Sequence, residues 1–567
     1  MSQHRLPSRR RFLTVPLWGR LFLALLSFVQ ATTTTTAESP FSIIVDGGST
    51  GSRLHIFEHL PEQVIRRGSH RVNQPLSSFA SSATAVDYNM TLAGHLLPAF
   101  DYAASVIPSH HHATTRVLIQ ATAGMRLVTP IQQDNLYNTL YQQLLELQES
   151  GRFVFNLQRE DLATLSGDLE GLYGALAANY LKGTITADLE FISINDNDND
   201  STIDTNSKRP IGALDMGGSS TQIVFLPGSQ QVCPNTNNET EQDTRSSNDC
   251  HAASEEELPS RLDGRDFFAT SYLSYGVDQF RERLWNTWIR QQESYAHTED
   301  GECVSKIISN PCTFRGYEIE WKGYTLVGTG NAKECVEHVQ RLIPHPHDET
   351  HDDTQQWNLG KHIGGVEHPP VRGKFFAMSL YFFALDSLRE LSAHEPLNMA
   401  WPTPSIRELS DALEGLCSRS WEGDLKDIQH DAHMYTRAEV LPHRCLEAVY
   451  MVTLLKDGFG FPEDSRDIEF TFLVDGSEVE WTLGMALALR NEQSPTVVES
   501  IVSDDEIPQD ESMSCVWDQT ELGAGTETPE DNSHNVTRQP SPLPTEWSWR
   551  HMAEQLAKAE LHAAFSS

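Results

Sequence analysis

Short apolar runs of strand length alternate with longer apolar stretches at helical spacing from Phe41 to about Arg490. That alternation predicts an α/β protein. The first run, Ile43 to Val45, ends abruptly in Asp46, Gly47, Gly48, Ser49, Thr50, Gly51, Ser52 and Arg53, and a second strand, Leu54 to Phe57, follows at once. The order returns in "ALDMGGSSTQIVF" at 213–225, where Asp215, Gly217, Gly218, Ser219 and Ser220 separate two apolar runs. A third strand, "VLIQA" from Val117, enters a small-residue turn that holds Thr122 and Arg126, and "SGDLEGLYGALAANYLKG" from Ser166 reads as a helix.

Two polar stretches interrupt the pattern, one near 195–210 and one near 228–263, and both read as exposed loops. The first has the acidic spacing of a calcium loop, but Ser201 stands where the turn glycine belongs and Ser207 where the bidentate Glu belongs, so that reading is rejected. Beyond Arg490 the chain is acidic and rich in Ser, Thr and Pro, with no apolar span; a disordered tail over 491–567 without a C-terminal membrane anchor is expected. At the other end, Arg9 to Arg11 precede the apolar stretch Leu21 to Val29 and small residues. This is the layout of a cleaved secretory signal, with a short N-terminal anchor as the second reading.

At 567 residues the chain exceeds the ~250–300 at which single cores stop growing, so two domains are expected. A net charge of −37 argues against nucleic acid as a partner, and any phosphate must be bound locally. The sequons at Asn89, Asn199, Asn238 and Asn535 fit a glycosylated secretory protein. The eight cysteines form no CxxC pattern and fit an oxidising compartment, with Cys312–Cys335 and Cys417–Cys445 the expected disulfides. The histidines at 110–112, and His345, His347 and His351, lie in polar loop sequence and read as solvated rather than metal-binding.

The glycine loops carry the chemistry. Glycine lets successive N–H groups turn into one concavity, a nest that binds anions without basic side chains. Asp46 and Asp215, at the strand ends, suit a hydrated divalent cation, which offsets their repulsion of phosphate. Two hairpin turns are the bland alternative for either loop alone; a repeated strand–loop–strand unit points instead to an actin-like architecture, and the absence of GxxxxGK[ST] excludes a P-loop NTPase. Thr122 suits a water or a phosphate oxygen, and Arg126 either a phosphate or a helix end. Glu170, between glycines at a helix start, suits either proton abstraction from water or the helix dipole.

Together "IIVDGGSTGSRLHIF", "IQATAGMRL", "SGDLEGLYGALAANYLKG", "ALDMGGSSTQIVF" and "SYLSYGVDQFRERL" resemble, in order and spacing, the apyrase conserved regions of the ecto-nucleoside triphosphate diphosphohydrolases. "NPCTFRGY", "GTGNAKEC", "FFAMSLYFFALDSL" and "GSEVEWTLGMAL" extend the likeness over roughly Phe41 to Arg490. The resemblance implies two RNase-H-like domains of the actin superfamily, 38–183 and 184–470, with the active site in the cleft between them. A segment 471–490 would return to the first domain, and 1–37 would be signal and spacer.

The implied reaction is hydrolysis of nucleoside tri- or diphosphates with Ca²⁺ or Mg²⁺ by direct attack of water. By this resemblance Glu170 is the general base, Ser219 and Gln222 position the water, and Thr122 supports the terminal phosphoryl group. The loops from Gly47 to Arg53 and from Gly217 to Ser220 bind phosphates, Asp46 and Asp215 hold the metal's water shell, and Tyr381 and Phe382 lie where the family binds the base. The sequence departs from the family at Ala175, where many members have Trp, at Gly47, where Ala is usual, and at Ser274, where some have a cysteine. A secreted protein is implied, with a Golgi or other luminal one second. A non-catalytic nucleotide or glycan sensor on the same scaffold is the rival reading, as is a kinase or exopolyphosphatase of the same superfamily.

Overall fold

Two five-stranded mixed sheets share one strand order. The computed structural model describes residues 39–80, 92–192, 210–227, 261–262, 264–296, 305–344, 362–393, 397–474 and 476–491. The expected signal or anchor, most of both polar insertions, the four sequons, Cys233, Cys250, Cys303, Cys515, His345, His347, His351 and the tail lie outside the described residues.

The first sheet contains β1 (Phe41–Gly47), β2 (Ser52–His59), β3 (Val64–Val72), β4 (Arg116–Ala121) and β5 (Asn156–Thr164) in the order β3-β2-β1-β4-β5. β1, β2 and β3 are antiparallel neighbours, whereas β4 and β5 run parallel to β1. The second sheet contains β6 (Gly212–Met216), β7 (Ser220–Phe225) and β8 (Phe268–Leu273), joined by Phe375–Ala377 and Ile468–Phe470 in the order β8-β7-β6-(375–377)-(468–470). Again the first three are antiparallel and the last two parallel. The repeated loop sequences thus belong to a duplicated topology, and matched rows cross the two sheets: Arg71, Arg53 and Asp46 in the first, Ser271, Gln222 and Asp215 in the second.

The unbroken apolar run of β1 follows from its central position. Ile43 and Val45 pack into a core with the Leu92–Val106 and Pro130–Glu149 helices, while Ile44 faces the core beneath the Gly167–Leu181 helix. A strand covered on both faces has no polar side to show. Each of these three side chains contributes about 1.5–3 kcal/mol by its burial.

The Gly167–Leu181 helix starts at Ser166, whose hydroxyl accepts from the Leu169 amide, and is buried from Gly171 to Asn179. One side packs on β6, β7 and β8 and the other on the Trp481–Asn491 helix. Close approach needs glycines here. A Cβ on Gly171 would lie 2.9 Å from Val224, and one on Gly484 would lie 1.8 Å from the Tyr173 carbonyl oxygen. The Trp481–Asn491 helix also touches β1, β2 and β3, so the chain's last described element packs on the first sheet. The disulfides Cys312–Cys335 and Cys417–Cys445 are both present. Among the described residues no helix is long and apolar enough to cross a membrane.

Candidate active site

The two glycine loops face each other. A Cβ on Gly218 would stand 3.2 Å from Ser49 Oγ and 2.6 Å from Asp278 Oδ2, so a larger residue would have to displace these side chains. The start of the Val277–Ala296 helix fixes the second loop: Val277 N donates to the Gly217 carbonyl at 3.0 Å and Asp278 N to the Gly218 carbonyl at 2.9 Å. A planar trans peptide points C=O and the following N–H in opposite directions. The amides of Gly218 and Ser219 are therefore turned away from the helix, as an anion nest requires. Ser219 is buried, and its carbonyl accepts from Ser274 N at 2.8 Å. In the first loop Gly47 is hemmed in by Leu76 and Ala121, each 3.0 Å from where a Cβ would be. Thr122 is buried directly beside this loop and donates its amide to the Gly47 carbonyl at 3.1 Å.

Glu170 meets the second sheet from the first turn of its helix. Its Oε2 accepts from Arg126 Nη2 and, at 3.2 Å, from Gln222 Nε2. Gln222 Nε2 also lies 2.8 Å from Ser220 Oγ and 3.1 Å from Ser271 Oγ. Burial raises the Glu170 pKa to about 7; the Arg126 charge pulls it down and Asp215 adds to the rise.

Asp46 and Asp215 occupy equivalent places in the two sheets, and in each Oδ1 is buried without a hydrogen-bond partner. Burial, and then the nearby carboxylates of Glu170 and Glu480, raise Asp46 to about 8. Burial also raises Asp215, against a hydrogen bond from Ser379. Ser379 holds a positive φ of 55° at the head of the Leu380–Leu391 helix, an unusual conformation for a non-glycine residue. Orphaned, desolvated carboxylate oxygens of this kind fit a divalent cation, which replaces the missing donors and restores the ionised form. No group of three or more His, Cys, Asp or Glu among the described residues stands ready for a metal. Two carboxylates would leave most of the coordination to water and phosphate.

Three predicted residues have partners that periodicity does not reveal. Arg53 is ion-paired with Glu480 and lies 3.5 Å from Glu478, both just before the Trp481–Asn491 helix, and Arg66 shares the two carboxylates at 3.2 and 3.1 Å. Arg126 pairs with Glu170 rather than only ending its helix. Tyr381 is fully buried, its hydroxyl 3.3 Å from Thr221 Oγ1, so its ring has no open face for a base. Phe382 instead borders a cavity of about 420 Å³, with Trp401 and Tyr435. Tyr435, Glu480 and Ser271 are contacts the sequence reading missed. Ser271 lies opposite Gln222 in the β7–β8 register, a signal that existed only once β8 was aligned.

These features define a duplicated α/β protein of the actin-like ATPase fold with its candidate site where the loops of the two sheets meet. Residues 32–503 match the GDA1/CD39 (nucleoside phosphatase) family, and the chain belongs to it. It is accordingly a hydrolase of the nucleoside phosphatase class. It is similar to bovine ectonucleoside triphosphate diphosphohydrolase 1, at 27% identity over 475 residues, 80% of this chain and 81% of the relative. It is also similar to the Golgi apyrase of Saccharomyces cerevisiae, at 24% identity over 483 residues, 79% of this chain and 70% of the relative. A crystal structure of nucleoside triphosphate hydrolases from Neospora caninum shares the fold, with a TM-score of 0.52 at 15% identity over 84% of this chain and 96% of that one.

Proposed function

We propose that this chain hydrolyses nucleoside tri- and diphosphates to lower phosphates by direct attack of water, with Glu170 as general base. The observation that carries the reading is the meeting of Glu170 and Gln222 at 3.2 Å near two aspartates that each keep a buried, unpartnered oxygen. Arg126 and Gln222 both donate to Oε2 of Glu170, which leaves Oε1 to take the proton of the water. Gln222 and Ser219 orient that water. The amides and hydroxyls of Gly47 to Ser52 and Gly217 to Ser220 hold phosphate oxygens, Thr122 supports the terminal phosphoryl group, and Arg53, fixed by Glu480, adds positive charge beside the first loop.

Asp46 and Asp215 would hold Ca²⁺ or Mg²⁺, directly or through water. When bound, such an ion neutralises charge on the transferring phosphoryl group. The base would lie at the Phe382 and Tyr435 side, since Tyr381 is closed off. The domain division at 38–183 and 184–470, with 471–490 returning to the first domain, belongs to the same proposal. So does a secreted or luminal location, supported by relatives named for ecto- and Golgi activities.

The test is phosphate release from ATP, ADP, UDP and GDP by the full chain with Ca²⁺ or Mg²⁺ and with EDTA, beside E170Q. Metal-dependent release lost in the variant is expected. A folded wild type that binds nucleotide and releases no phosphate would turn the reading to a sensor.

A further inference from the structure

We propose that Ser271 is a positioning residue of the hydrolytic centre, a role that rests on the reading of Glu170 as general base. Ser271 lies on β8, paired in register with Gln222 on β7, so their side chains leave the same face of the sheet. Its Oγ is 3.1 Å from Gln222 Nε2 and accepts from Arg126 Nη1 at 3.3 Å. These are the two side chains that donate to Oε2 of Glu170. The four groups close a ring: one hydroxyl and one carboxylate oxygen, bridged by a guanidinium from the first sheet's side and an amide from the second.

The main chain holds Ser271 in that place. Its amide donates to Asp168 Oδ1 at 2.8 Å, on the helix that carries Glu170. Gly167 leaves the room for this, since a Cβ there would lie 2.0 Å from Arg126 Nη1 and 2.2 Å from Ser271 Cβ and Oγ. Both donors are thus restrained from behind. Without the hydroxyl, Arg126 and Gln222 lose a common acceptor: Arg126 is left with Glu170 Oε2, and Gln222 with Glu170 Oε2 and Ser220 Oγ, so each gains freedom. The carboxylate would then no longer be held with Oε1 toward the water, and misplacement of a reacting group by ~1 Å costs on the order of 10²-fold. Phosphate contacts in the glycine loops do not involve Ser271, so binding should be spared.

The experiment measures metal-dependent phosphate release and thermal melting for the wild type, S271A, S271T and S271C in the full chain. S271A is expected to lose about ten- to a hundredfold in kcat with KM changed less than about threefold. S271T, which restores the hydroxyl, should recover most of the rate. S271C, which keeps the volume with a weak acceptor, should lose the same factor of about ten to a hundred in kcat, and it tests the role even if S271A fails to fold. In a Q222A background the further loss from S271A should shrink, because the two act through one ring. An active wild type with S271A or S271C at wild-type kcat, or with losses in S271A and S271C that threonine does not restore, overturns the assignment. An inert wild type removes the hydrolase reading itself, and the assignment with it.

Discussion

Arg126 is ion-paired with Glu170 through Oε2 of the carboxylate, and no hydrogen bond reaches Oε1 among the described residues. In the proposed reaction the pairing gives the two oxygens separate work: one is anchored and the other accepts the proton. It also lowers, against burial, the pH at which that oxygen is ionised.

A general base must be ionised to act, and Glu170 is proposed for that role. Burial lifts Glu170 to about 7, against the pull of Arg126. As pH falls through that value the carboxylate takes up a proton and can no longer accept one from water, so kcat/KM should drop on the acid side with an apparent pKa near or, with a cation bound, below about 7. E170Q should lose about 10²–10⁴-fold while still binding nucleotide. R126Q removes the charge that favours the ionised form, so its acid limb should move to higher pH. A limb that stays put or moves down in R126Q would show that the pair does not tune the base.

The orphaned oxygens of Asp46 and Asp215 make a second prediction. A ligand bound only by the folded state stabilises it, by about 2.7 kcal/mol at a hundred times its Kd. Ca²⁺ or Mg²⁺ should therefore raise the melting temperature of the wild type, EDTA should reverse the rise, and D46N or D215N should shrink it. Full metal stabilisation in both variants would remove the two aspartates from the cation site.

Gly167 offers a test of packing at the site that leaves the chemistry untouched. Alanine there would collide with Arg126 Nη1 at 2.0 Å and, less avoidably, with the Cβ of Ser271 at 2.2 Å. G167A should cut turnover strongly. Gly94 is a control in the Leu92–Val106 helix, since nothing lies within 4 Å of its would-be Cβ. G94A should keep full activity and gain up to about 1 kcal/mol of stability from helix propensity. Comparable activity in the two variants would mean that the approach at Gly167 does not matter to catalysis.

What the sequence revealed of this site was local. Asp46, Asp215 and both loops announce themselves because a buried strand ending in acid and glycine is a contiguous pattern, and its repetition matches the two sheets of identical order. Glu170 stood out for the same reason, between glycines whose role is close approach. Its partners did not. Arg126 is 44 positions away, and Ser271 joins Gln222 across 49 positions, through a pairing register that no short-range periodicity encodes. The aromatic residues at Tyr381 and Phe382 show the same limit. Both sit on one helix, but only the rotation of that helix against β6 decides that Tyr381 turns inward to Thr221 while Phe382 borders the cavity.

The disulfides give a prediction away from the cleft. Cys312–Cys335 and Cys417–Cys445 close loops with sequence separations of 23 and 28 residues. Cross-links of that span restrict the unfolded chain by about 3 kcal/mol each in the chain-entropy account. All four cysteines belong to the core around the second sheet, with Trp285, Phe314 and Trp421, and none touches the Glu170 cluster. The double variant C417A/C445A should therefore unfold at lower denaturant, by about 3 kcal/mol, with kcat of the folded fraction unchanged. The chemical denaturation curve and the specific rate at low temperature separate the two effects. A fall in kcat without loss of stability would mean that this cross-link shapes the active cleft rather than the fold around it.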